Sequence, residues 1–244
     1  MWIVAFLSGI VGLVVGRSIV AETSAHRRGL PDRWWNPECD ECGGALTITM
    51  ARCVAHGHRR RLASPLTPLI TAGVFAAVAL VVPSLWVVPA YLVFAAAMVV
   101  LTITDLDTKL IPNRILGPAT VIASGILIVG GLVSGERWAL VWAAVGAASY
   151  FAVMFLLALL ARGGIGFGDV KLAFLIGVFT GYLSWGHVIV AGFGAFLIGG
   201  LVAVFLLITR RSGRKDAIPF GPFMTTAAII AVVFGDAIIT WYLR

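Results

Sequence analysis

Acidic residues are scarce in this sequence. Its 244 residues hold 11 Asp and Glu against 18 Lys and Arg, and charged residues of both signs make up only 12%. Soluble domains carry about 25%, so a water-facing globule of this size is excluded. Cysteine is nearly absent. The three present, Cys39, Cys42 and Cys53, share one polar stretch. An odd number so confined argues against a disulfide framework. Short segments of alternating hydrophobicity are missing, which excludes an outer-membrane barrel. No solenoid repeat, low-complexity tract or polar segment long enough for a large soluble core appears.

What is there instead is apolar sequence. It accounts for 60% of the residues, with a mean hydropathy of +1.02. Runs near twenty apolar residues recur along the whole length, the pattern of a polytopic helical membrane protein. Eight such runs stand out: about Trp2–Val20, Thr67–Pro83, Leu85–Thr104, Ile115–Val133, Trp138–Ala161, Val170–Trp185, His187–Thr209 and Phe220–Leu243. The first lacks a basic leading region and a small-residue cleavage site, so it reads as a retained helix and not a signal peptide. The expected fold is therefore an all-α membrane bundle of about eight transmembrane helices. Its parts are a first helix (1–20), a polar loop (21–66) and a membrane core (67–244).

The net charge of +7 is explained by orientation better than by nucleic acid. Under an eight-span alternation, sixteen of the 18 basic residues fall on one side. They are Arg17, the seven arginines of the long loop, Lys109, Arg114, Arg162, Lys171 and the four at 210–215. Only Arg137 and Arg244 fall on the other. The positive-inside rule makes the rich side cytoplasmic and puts the N-terminus outside. Most tryptophans fall near span ends, as in an aromatic belt. Gly192, Gly194, Gly199 and Gly200 in the seventh run read as small residues that let helices pack closely. His187 and Asp236 read as interfacial residues on the outer side.

Two stretches carry chemistry. One is the glycine turn Gly164-Ile165-Gly166-Phe167-Gly168-Asp169-Val170-Lys171. The other is Asp105-Leu106-Asp107-Thr108-Lys109-Leu110-Ile111-Pro112-Asn113. The topology puts Asp105 at the end of the third run and Asp169 at the start of the sixth, at one depth on the cytoplasmic side. Carboxylates near hydrocarbon are costly, and Asp is too short to reach far towards water. Two brought close share a proton. One then takes a proton from water while the other donates to a scissile carbonyl, as in aspartic proteolysis. The expected role of Gly166 and Gly168 is to admit unusual backbone angles and to let a peptide approach Asp169. Pro112 breaks the chain before the fourth run and holds Ile111 extended. The competing reading makes the acids solvated helix-end residues, with Asp169 favoured by the helix dipole.

These motifs resemble the type IV prepilin peptidase family, membrane aspartyl proteases of the GxGD class. Gly166 to Lys171 matches its GxGDxK, and Asp105 to Pro112 matches its D-x5-[IL]-P. Ile218-Pro219-Phe220-Gly221-Pro222 looks like a late family motif. The resemblance implies that Asp105 and Asp169 are catalytic, with Asp107 a competitor for the first place. Asp107, Pro112, Gly166, Gly168 and Lys171 would be adjacent to the site. It further implies cleavage of leaders from prepilin or pseudopilin substrates at the cytoplasmic face of a bacterial plasma membrane, among membrane lipids. Two other classes compete: a proton-coupled carrier and an inactive scaffold of a secretion machine.

The polar loop holds Cys39-x2-Cys42 and Cys53-x2-His56, spaced like a structural zinc site of Cys3His type, with His58 a rival ligand. Bifunctional members of the family look similar here but carry a second C-x2-C, linked to N-methylation with S-adenosylmethionine. His56 replaces the last of those cysteines, which puts methyl transfer in doubt.

Overall fold

The computed structural model describes residues 2–27, 66–161, 165–209 and 219–244. Among them are eight helices and no strand: α1 (Trp2–Arg27), α2 (Leu66–Val81), α3 (Val88–Thr108), α4 (Asn113–Val133), α5 (Arg137–Leu160), α6 (Phe167–Leu183), α7 (Trp185–Ile208) and α8 (Gly221–Tyr242). Each matches one apolar run of the sequence, with ends shifted by a few residues. The largest shifts are at α1 and α3. α1 runs on to Arg27, and α3 begins at Val88 and continues through Asp105 to Thr108.

Five of the eight, α3, α4, α5, α7 and α8, are long and apolar enough to cross a membrane. α6 has 17 residues, about 25 Å at 1.5 Å per residue, against a hydrocarbon layer of about 30 Å. α6 is enclosed by protein, and most of its positions from Val170 to Tyr182 are buried. α2 is similarly short, at 16 residues.

Contacts divide the chain into two compact units, 1–80 and 81–244. In the first, α1 and α2 meet through small residues. A Cβ on Gly12 would lie 2.8 Å from the Ala72 Cα, and one on Gly16 would lie 2.7 Å from the Pro68 Cα. Backbones this close exchange dispersion contacts that any larger side chain would forfeit.

In the second unit α6 is central. It packs against α5, α7, α8 and α4, while α3 packs on α4 and α8. The tightest seam is between α5 and α6. A Cβ on Gly146 would meet the Gly177 carbonyl oxygen at 2.6 Å, and one on Gly181 would meet the Trp142 carbonyl oxygen at 2.6 Å. The seventh-run glycines divide. A Cβ on Gly199 would press on Phe223 at 3.0 Å and one on Gly194 would meet Ala227 at 3.4 Å, both on α8, whereas one on Gly192 would meet Tyr150 at 3.6 Å and Gly200 has nothing within 4 Å.

An aromatic cluster ties α3 to α6. The Tyr91 hydroxyl donates to the Phe179 carbonyl oxygen at 2.7 Å. Phe94 stacks on Phe179 with ring centroids 4.4 Å apart. Tyr91 meets Phe179 edge-on at 5.0 Å. These rings are fully buried, so the contact has hydrophobic, aromatic and hydrogen-bond contributions. It fixes how far one helix has slid along the other.

Candidate active site

Asp105 lies on α3, 14 positions beyond Tyr91, and Asp169 lies on α6, 10 positions before Phe179. At the helical rise those separations are about 21 Å and about 15 Å. The two helices run in opposite directions from the aromatic tie, so both carboxylates lie at one end of the unit. Their heights differ by about one turn. Asp169 is within electrostatic range of Asp105.

Asp105 is 4% exposed. Its Oδ2 is buried with no hydrogen-bond partner among the described residues. The Gly221 backbone N–H at the head of α8 is within hydrogen-bonding reach of the carboxylate. α8 starts there because Pro222 stands in its first turn, where the missing N–H costs nothing and the ring pre-sets the helical angle. One turn away, the Thr102 and Thr225 hydroxyls meet at 2.7 Å, and the Thr225 hydroxyl also reaches the Gly221 carbonyl oxygen at 3.1 Å. This latch holds α8 level with α3.

Asp169 stands in the first turn of α6. Its backbone N–H donates to the Gly166 carbonyl oxygen at 3.0 Å, and the Gly166 N–H is within hydrogen-bonding reach of its carboxylate. Each acid therefore sits at a helix N-terminus beside a glycine N–H, a setting that favours negative charge.

The glycine turn differs from expectation. Gly166 has φ −70° and ψ 142°, angles open to any residue. Among described glycines only Gly135 has a positive φ. Gly168 is small for another reason: a Cβ there would press on the Ile111 Cβ at 3.0 Å. The glycine seats the second motif against the first, so at Gly168 the space is filled by this chain. A Cβ on Gly166 would meet the Asp169 Oδ2 at 3.5 Å, an ordinary contact; that side of the carboxylate is uncrowded.

Lys171 and the second motif are also joined. The Lys171 ammonium donates to the Asn113 Oδ1 at 3.0 Å and lies 5.1 Å from the Phe167 ring centroid, a cation–π contact. Pro112, extended at ψ 125°, caps the N-terminus of α4, one residue earlier than the first helical turn. Lys109 ends α3 in the left-handed region at φ 54°, so the chain reverses within four residues. Asp107 lies in the last turn of α3, and its side chain falls outside the described set.

Cys39, Cys42, Cys53, His56 and His58 lie outside the described residues. The remaining expectations concern the far end. His187 is not a surface residue there. It is buried beneath Gly235, with Nδ1 2.7 Å from the Ser184 Oγ and Nε2 3.7 Å from Asp236. Asp236, by contrast, is 95% exposed on its side chain, as an interfacial residue would be. The sequence reading missed the roles of Gly221, Thr102 and Thr225. Gly221-Pro222 was visible as a helix start, but nothing along the chain says what a helix start faces.

A helical bundle with five helices long and apolar enough to cross a membrane thus gathers two helix-end carboxylates at one end. The chain belongs to the type IV leader peptidase family, whose model matches residues 92–204. It is 32% identical to a prepilin leader peptidase/N-methyltransferase of Bacillus subtilis, over 79% of this chain and 75% of that protein. It is also 32% identical to a protein of the same name from Aeromonas hydrophila, over 73% of this chain and 61% of the relative. One from Pseudomonas aeruginosa is 30% identical, over 74% and 61%. The chain thus spans about three-fifths of the Aeromonas and Pseudomonas proteins. No solved structure matches.

Proposed function

We propose that this protein is a membrane aspartyl endopeptidase that removes the leader peptide from type IV prepilin-like substrates. The observation that carries this reading is Asp105, buried at one helix end, within electrostatic range of Asp169 at another. In the proposed reaction the ionised member of the pair takes a proton from water as the oxygen attacks the scissile carbonyl. The protonated member donates to the carbonyl oxygen. Collapse of the tetrahedral intermediate breaks the C–N bond: the leaving amine receives the proton first taken from water, and a diol hydroxyl returns its proton to the other aspartate as the C=O re-forms. The Gly166 and Gly221 N–H groups would steady the carboxylates without reorganising during the reaction.

The proposed setting is the bacterial inner membrane. α6 completes the second unit's bundle inside its neighbours, and the aspartates face the cytoplasm. The basic leader would lie along the membrane surface and the apolar pilin helix among the spans. Zinc held by Cys39, Cys42, Cys53 and His56 would stabilise the polar loop. Incubating the purified protein with a prepilin and sequencing the product's N-terminus tests the reading. An uncut prepilin, under conditions where the protein is folded, rejects it.

The names of the relatives favour one second reading, a peptidase that also methylates the new N-terminus with S-adenosylmethionine. Transfer of labelled methyl groups to the cleaved pilin distinguishes it from the peptidase alone.

A further inference from the structure

We infer that Gly221 is a positioning residue for the Asp105 carboxylate, and that it leaves Oδ2 as the oxygen that meets the reacting water. This rests on the reading of Asp105 as one of the two proton-transfer groups. Gly221 lies beyond the 92–204 region that the family model matches.

Three observations converge. First, a Cβ on Gly221 would lie 2.5 Å from the Asp105 Oδ2 and 3.1 Å from its Cγ. Only glycine lets the carboxylate occupy this place. Second, the Gly221 N–H is within hydrogen-bonding reach of the same carboxylate, at the head of a 22-residue helix whose dipole favours an anion there. Third, Oδ2 is buried and without a hydrogen-bond partner among the described residues, although buried oxygens are almost always paired. An acceptor held this way is one whose remaining lone pairs are reserved for a mobile partner, here water or the shared proton. The Thr102–Thr225 contact at 2.7 Å fixes the height of α8 against α3, so the N–H stays in register with the acid.

The steric contact and the N–H act together. The N–H draws the carboxylate towards the helix end, and the missing side chain lets it settle there. A methyl group at this position forces the carboxylate to rotate away, which moves the reacting oxygen by about an ångström or more. Misplacement on that scale costs on the order of a hundredfold in rate.

The test uses the full-length protein with a prepilin substrate. Gly221→Ala is expected to lower kcat about a hundredfold with KM unchanged, because it disturbs proton transfer and not substrate binding. Gly200→Ala, on the neighbouring helix with nothing within 4 Å, is the control and keeps the wild-type kcat. A Gly221→Ala protein that folds and retains wild-type kcat overturns the inference. So does a loss that appears in KM alone. If Gly221→Ala fails to accumulate, Thr225→Val decides, since it loosens the latch without adding bulk at the acid. It is expected to lower kcat about tenfold at unchanged KM, and a wild-type kcat overturns the inference. Asp105→Asn and Asp169→Asn run in parallel. If both are inactive while Gly221→Ala is normal, the inference fails and the aspartyl reading stands. If either aspartate variant still cleaves, that residue's catalytic assignment fails first.

Discussion

The Lys171 ammonium donates to the Asn113 side-chain oxygen at 3.0 Å, across 58 positions of sequence. It thereby stitches the glycine motif to the stretch that follows Asp105. The family motif places this lysine beside the site without naming its partner. In the structure it holds a neutral amide and covers the Phe167 ring. A charged hydrogen bond of this kind is worth about 1.5–3 kcal/mol when well shielded, and less where solvent reaches it. Lys171→Met is therefore expected to lower kcat about tenfold, with Asn113→Ala giving a similar loss and the double variant little further. A double-mutant cycle on cleavage rates checks this. Full additivity would show that the two side chains act separately.

Removing either carboxylate is expected to abolish cleavage. General acid or base groups contribute about 10²–10⁴-fold, so Asp105→Asn and Asp169→Asn should each fall to the assay floor. Asp107→Asn should remain active. Membrane insertion and thermal unfolding of all three should match the parent protein.

Sharing one proton between two acids has a pH signature. In the proposed mechanism, activity requires one member ionised and one protonated. At low pH both are protonated and no base remains, so the rate falls. At high pH both are ionised and no acid remains, so it falls again. A bell-shaped profile of kcat/KM is expected, whose two limbs belong to the pair and not to single residues. A rate that rises to a plateau and stays there would show that no protonated acid is needed.

The two glycines of the turn are expected to respond differently. Gly168→Ala presses a methyl group against Ile111 and must displace it, whereas Gly166→Ala adds an ordinary contact beside Asp169. Overpacking of this kind costs about 1–3 kcal/mol. Thermal unfolding should show Gly168→Ala destabilised and Gly166→Ala nearly neutral. The reverse order would mean that the turn needs glycine for its backbone angles.

At the opposite end, Gly235→Ala is expected to unfold at lower temperature because its methyl group would collide with the His187 ring. His187→Ala should lose the contact with Ser184 and also be less stable. In both, the folded fraction should cleave with normal kcat. A selective loss of kcat would connect this end to the chemistry.

Much of this molecule was legible in its sequence, for definable reasons. Each helix is apolar along its length, so hydropathy located all eight, and α4 ends at Val133 as expected. The charge alternation put Asp105 and Asp169 at one end because antiparallel connections leave little choice. Pairing across helices was not legible. Gly146 and Gly177 are unremarkable among 28 glycines until α5 and α6 are brought together. Gly221 stood inside a quoted motif without a role, since its importance is the space it leaves for Asp105. His187 looked interfacial because its burial depends on Gly235, 48 positions away.

Where α5 crosses α6, main chain touches main chain with no side chains between to yield. The two behave as a single strut, and Asp169 rides on its tip. The height of that carboxylate is thus gauged by bare backbone far from the acid. A bulky replacement at Gly177 would raise or lower it without ever touching it.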